Sequence, residues 1–162
     1  MRLFLLGLFV ILFFSQSYSQ ELRRLGNIDL NSPEDFLKAE KDVIDASDYL
    51  LDNPLSDDLN RSYAVDFILL WLEGTEKKIE IGEEGAKLSK KQKDLLGIYM
   101  AALIKSLLEK PEMENNQKQL KKSALEIVAE YCIEEDNKVI QTKYILKLID
   151  SYEDEALEEF ID

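Results

Sequence analysis

Residues 95–108 read LLGIYMAALIKSLL, and only Lys105 and Ser106 among them are clearly polar. Helical spacing puts Leu96, Tyr99, Met100, Leu103 and Leu107 on one face, with Leu95, Ile98 and Ala102 on its flank. A helix apolar round most of its circumference has to be wrapped by other elements. It is shorter than the roughly 20 apolar residues that a bilayer span takes. The chain therefore reads as all-α: a five- to six-helix bundle, or a short α-solenoid of stacked helical hairpins, built round this segment. Asp94, Ala101 and Lys105 mark the narrow edge expected to meet solvent, with Lys105 snorkelling.

The N-terminus carries a targeting pattern. Arg2 supplies a positive start, residues 3–14 are an apolar run with one glycine, and residues 15–20 are a polar exit. Ser17-Tyr18-Ser19 has the small-x-small form, so residues 1–19 are expected to be a signal peptide cut before Gln20. The expected destination is the periplasm or the extracellular space, with no stable membrane anchor after cleavage. Residues 20–31 lack a sustained period and read as a flexible N-terminal arm. Residues 32–162 read as one helical domain with a glycine-containing loop at 74–88.

Punctuation within the domain is clear. Ser32 followed by Pro33, Glu34 and Asp35 starts a helix, with Asp35 near a capping-box position. Apolar rows Phe36/Val43/Leu50 and Leu37/Ile44/Leu51 continue it until Asn53-Pro54 ends it. Ser56 or Asp57 caps a second helix, whose face is Leu59, Tyr63, Phe67, Leu70 and Trp71, with Gly74 placed as its C′ residue. Three of six glycines (Gly74, Gly82, Gly85) surround the strand-like Lys78-Ile79-Glu80-Ile81. Ser89 caps the central helix. Asn115 or Asn116 opens a fourth helix, a fifth carries Ile140, Tyr144, Ile145, Leu148 and Ile149, and Ala156, Leu157, Phe160 and Ile161 dock a last turn. Leu50-Leu51…Pro54 and Leu107-Leu108…Pro111 recur 57 residues apart, as two stacked hairpins would give, although two similar amphipathic hairpins also arise without duplication.

Composition removes several function classes. Cleavage would take away only Arg2 among the charged residues, moving the net charge from −13 to −14. Such a field repels nucleic acid and anionic membrane surfaces. There is no histidine, so neither His-based triads nor the commonest zinc ligand are available. The single cysteine, Cys132, precludes an internal disulfide and reads as a small core residue. No P-loop, dinucleotide fingerprint or Gly-x-Ser-x-Gly elbow occurs. No cofactor is expected, and no metal site.

The expected function is an exported acidic helical interaction or accessory module without catalytic chemistry, binding a protein or peptide partner. Candidate partner-contact residues are Trp71, Ile79, Ile81, Tyr63 and Tyr99, with residues 74–88 as the adjustable lip of an apolar groove. Two alternatives use the carboxylates: a cell-envelope hydrolase, or a weak Ca²⁺-responsive domain drawing on Glu153, Asp154, Glu155, Glu158 and Glu159.

Trp71-Leu72-Glu73-Gly74-Thr75, the following Ile-Glu-Ile, Leu95-Leu96-Gly97-Ile98-Tyr99-Met100 and the FSQSYSQ exit together resemble a group of small, exported, all-helical proteins of unknown function. The resemblance spans residues 32–150. It implies a helical fold and export, and it carries no active site with it.

Overall fold

The computed structural model describes residues 22–56 and 58–161. Residues 1–19, the expected signal peptide, lie outside them. Among the described residues there are seven α-helices and no strand: α1 (Pro33–Lys38), α2 (Glu40–Asp52), α3 (Leu59–Gly74), α4 (Gly82–Ser89), α5 (Asp94–Glu109), α6 (Gln117–Ile133) and α7 (Lys143–Glu153). Short 3₁₀ turns at Arg24–Asn27, Pro111–Asn115, Glu135–Asn137 and Leu157–Glu159 join or extend them. The fold is an all-α bundle.

Helix α5 is its centre. Eleven of its sixteen residues are buried, because α2 packs on one side of it, α6 on the other and α4 across it. Helix α3 lies outside α2, and α7 outside α6. Leu103 and Met100 are in the core as the periodicity requires, whereas Leu96 is half-buried at an open seam. Ala101 is fully buried, not at a solvent edge. With neighbours on three sides, α5 exposes less of its rim than a one-sided amphipathic helix. Lys105 is half-buried and pairs with Asp48 on α2 and Glu109.

Local signals set the helix ends. The Asp35 carboxylate accepts the Ser32 N–H at 3.0 Å and the Ser32 hydroxyl at 2.8 Å, completing the expected box. The predicted first helix is interrupted at Ala39, where ψ is −3°, so it counts as two. Asp58, rather than Ser56 or Asp57, caps α3 by accepting the Arg61 N–H at 2.9 Å. Asn116 and Thr142 cap α6 and α7 the same way. Gly74 is the last residue of α3 and has no left-handed backbone. Its need is space: a Cβ there would come closer than 3.0 Å to three ring atoms of Phe36.

Two sequence expectations fail here. The arm at 20–31 is not loose in its described part: Leu22 and Leu25 are buried, and the Arg24–Asn27 turn packs on α3 while Arg24 pairs with Asp42 at 2.6 Å. Four apolar residues (Leu22, Leu25, Ile28, Leu30) in an irregular segment escape a search for periodicity yet still pack against the core. The loop at 74–88 contains α4, because Glu83, Glu84, Ala86, Lys87 and Leu88 sustain a helix despite two glycines. Gly82 starts it with φ +64°, and Gly85 stands against Ile81, Leu96 and Tyr99, where a side chain would crowd them. The added helix and the break at Ala39 raise the number from the expected five or six to seven.

The C-terminus behaves as expected: Leu157, Phe160 and Ile161 are buried against α6 and α7, with the Phe160 ring 4.9 Å from that of Tyr144. Cys132 is buried, and burial pushes its thiol pKa up to about 12.

Candidate functional site: a groove between α3 and α5

Helix α3 is held by α2 and the N-terminal turn but touches α5 only sparsely. At one point they meet closely, since a Cβ added at Gly97 of α5 would lie 3.1 Å from Val65 Cγ2 of α3. Around that contact is a groove of about 620 Å³. Val65 and Leu69 line it from α3, Leu96 and Met100 from α5, and Leu55, Ser56 and Asp58 from the connection before α3. Leu69 is 41 % exposed, the kind of apolar residue a surface helix usually turns inward.

Charge is placed unequally around this apolar floor. Asp58, Asp66 and Asp94 line the groove against Lys93 and Arg61. Arg61 is only 5 % exposed, and its Nη1 donates to the carbonyls of Asn53 and Pro54 at 3.1 Å each and of Leu50 at 3.5 Å. Its guanidinium thus closes the C-terminal end of α2, where carbonyls lack helical partners. The Tyr131 hydroxyl donates to the same Asn53 carbonyl at 2.8 Å. Burial pushes the Asp58 carboxyl up, but the Ser56 hydroxyl and the N–H groups of Arg61 and Asn60 outweigh it and hold it below its ordinary value. Asp58 is therefore ionised at neutral pH.

A second polar cluster lies inside the bundle. Glu84, 2 % exposed, faces Lys121 of α6 across 3.5 Å. Glu84 Oε2 and the Tyr99 hydroxyl are buried without hydrogen bonds. Burial first, then the nearby Glu84 and Tyr144, push the Tyr99 hydroxyl pKa above its ordinary value. Neither residue lines the groove between α3 and α5, and the Glu84–Lys121 pair joins α4 to α6 internally.

The third distinctive piece is the connection at 75–81, which bends at 76 and 77 and turns into helical backbone at Ile81 (φ −68°, ψ −33°). Exposure alternates along it: residues 75, 77, 79 and 81 are half-buried, and 76, 78 and 80 are exposed. Among the described residues no backbone strand pairs with it. The Lys78 N–H donates instead to Glu114 Oε1 at 3.2 Å and the Glu80 N–H to Gln117 Oε1 at 3.1 Å, while Gln117 Nε2 donates to the Lys78 carbonyl at 2.8 Å. One side-chain amide accepting from residue i and donating to the carbonyl of i−2 does what a peptide group of a neighbouring strand does.

The sequence-chosen contact residues do not gather at the groove. Trp71 is fully buried, its Nε1 donating to the Phe36 carbonyl at 3.0 Å, and Tyr99 is equally buried. Both are corrected to core residues, since large aromatic area at helix–helix seams is covered first. Tyr63 is half-buried on α3. Ile79 and Ile81 are partly buried on the 75–81 connection and pack against the core. None of the five lines the groove, and residues 74–88 do not form its lip. Arg61, which sequence reasoning passed over, had a signal: it is a lone charge on the stripe Arg61, Ala64, Ile68, Trp71 that α3 buries.

Among the described residues no group of three or more His, Cys, Asp or Glu could hold a metal ion, and no helix is long and apolar enough to cross a membrane. Compared with protein-family models, curated proteins and solved structures, the chain matches none.

Proposed function

We propose that this chain is an exported helical interaction module whose α3–α5 groove holds a cationic, amphipathic segment of a protein partner. The observation that carries it is the pairing of an uncovered apolar floor (Val65, Leu69, Leu96, Met100) with three aspartates. Arg61 is engaged by backbone carbonyls, so within the groove only Lys93 is left to oppose Asp58, Asp66 and Asp94. A helical segment laid in such a groove places apolar side chains on the floor and lysines or arginines over the rim. The chain's net charge of −13 adds long-range attraction for the same partner.

The rest of the reading follows the same line. The leader at 1–19 directs the chain to the periplasm or beyond. The hairpins α2–α3 and α5–α6 act as stacked units of a short α-solenoid, a reading supported by matched burial 57 residues apart: Leu50 with Leu107, Ile68 with Leu125, Trp71 with Val128. Solenoid units present grooves for extended or helical ligands. The module works by binding and has no catalytic role.

Fluorescence anisotropy of a labelled Leu/Lys amphipathic peptide as long as α3 (16 residues) tests this. Binding is expected to weaken about three- to tenfold in Asp66→Lys, since an exposed rim charge pair contributes about 0.3–0.7 kcal/mol and reversal doubles it. Leu69→Asp should weaken it at least as much. Glu135→Lys, with the same charge change on the α6–α7 turn, serves as the control. Equal losses in Glu135→Lys and Asp66→Lys would mean that only the overall field attracts the peptide, and the groove reading would be wrong. So would a defined hydrolytic activity abolished by one Asp or Glu change.

A further inference from the structure

The short stretch 78–80, which follows bends at Glu76 and Lys77 and precedes the helical backbone of Ile81, has two edges, and only one is filled. Lys78 and Glu80 turn their N–H groups, and Lys78 its carbonyl, toward Glu114 and Gln117. In an extended chain the peptide groups of the intervening residue point the opposite way. Neither the N–H nor the carbonyl of Ile79 takes part in a hydrogen bond among the described residues. A backbone pair without protein partners is almost always solvated. The Ile79 edge is therefore an open strand edge, held extended by side chains on its other side.

We infer that this edge pairs with the same edge of a second copy of the chain, antiparallel about a two-fold axis through Ile79. The charges select that register. Centred on Ile79, each exposed Lys78 stands opposite Glu80 of the other copy. Centred on Lys78, Lys78 would face Lys78, a like-charge pairing that is unfavourable. The hydrogen bonding agrees independently. Ile79 offers its N–H and carbonyl outward, so the two Ile79 residues form a hydrogen-bonded pair. Lys78 and Glu80 then fall at the adjoining non-hydrogen-bonded positions, where side chains approach closest. The resulting contact is isologous, as a two-fold dimer requires. It is also local: within a chain of net charge −13, the stretch from Glu76 to Glu80 carries two acids and two lysines and is itself neutral. A three-residue edge buries far less than a standard interface, so the association is weak, reversible and concentration-dependent. This surface is separate from the α3–α5 groove, and neither depends on the other.

Sedimentation equilibrium from micromolar to millimolar chain, at about 0.15 M salt so that distant charges are screened, provides the test. The weight-average mass of the natural chain should rise toward that of a dimer. Lys78→Glu alone and Glu80→Lys alone should each remain monomeric. Mixed one to one, they should associate, because one copy then presents two acids and the other two lysines. Both positions are exposed and their inward hydrogen bonds are made by backbone atoms, so folding is preserved, and a circular dichroism melt of each variant verifies that. A natural chain that stays monomeric throughout overturns the inference. So does self-association that neither charge reversal weakens, including association lost instead in Leu69→Asp at the groove.

Discussion

Replacing Arg61 by Met tests whether a buried guanidinium holds the α2–α3 corner together. Arg61 Nη1 makes two bonds of 3.1 Å, to the Asn53 and Pro54 carbonyls, and a longer one of 3.5 Å to Leu50. A hydrogen bond from a charged donor contributes about 1.5–3 kcal/mol, so the two good ones give roughly 3–6 kcal/mol gross. Three effects reduce that. The Asn53 carbonyl keeps the Tyr131 hydroxyl at 2.8 Å. Pro54 is exposed, so solvent can replace the donor lost from its carbonyl. Removing a buried charge also recovers its desolvation cost, and Met retains most of the packing. The expected net loss is about 2 kcal/mol, or roughly 6–8 °C in Tm for a domain of this size. Urea unfolding followed by the fluorescence of Trp71, the only tryptophan and fully buried, reads the change directly. Arg61→Lys keeps the charge but cannot fan two donors across the corner, and should lose about half as much. A loss below ~0.5 kcal/mol with an unchanged urea slope, the range of ordinary surface substitutions, would refute the assignment.

Other outcomes follow from individual contacts. Gly74→Ala should destabilise by about 1–2 kcal/mol in a thermal melt, because displacing the Phe36 ring costs more than the ~1 kcal/mol of helix propensity gained; a more stable variant contradicts this. In Gln117→Leu, hydrogen exchange of the Glu80 amide should speed up while α5 amides stay protected, and unchanged protection at Glu80 would be the contrary result. Cys132 should resist thiol reagents at pH 8 in the folded chain and react once urea unfolds it. Burial raises that thiol from its ordinary 9.0 to about 12, so between those values the unfolded chain loses the proton first and stability falls as pH rises, by up to about 1.4 kcal/mol per unit. Tyr99, also raised by burial, adds a loss of the same sign above pH 10. Denaturant midpoints that climb from pH 9 to 12 would contradict both.

Much of the architecture is legible along the sequence, for identifiable reasons. The apolar run at 95–108, the Ser32/Asp35 box, the Asn53-Pro54 stop and the buried Cys132 are local or periodic signals, and each keeps its meaning in the folded chain. Helix α4 was hidden by Gly82 and Gly85, whose low helix propensity is overridden by packing on α5. The N-terminal turn was hidden because its leucines follow no period. Trp71 and Tyr99 looked available because aromatic residues serve cores and interfaces alike; their burial is decided by which helices become neighbours. The groove itself was not readable. It arises because α3 packs on α2 and only grazes α5, a tertiary outcome that leaves Leu69 and Leu96 partly uncovered. The side-chain amide of Gln117 standing in for a strand joins positions almost 40 residues apart, and no local pattern announces it.

The most direct test of the binding reading is to map, amide by amide, where a Leu/Lys amphipathic peptide touches the isotopically labelled chain in solution. The groove predicts the largest shifts at Val65, Leu69, Leu96, Gly97 and Met100, saturating together with one affinity. Shifts confined to the acidic residues after Asp150, with those five amides unmoved, would contradict it.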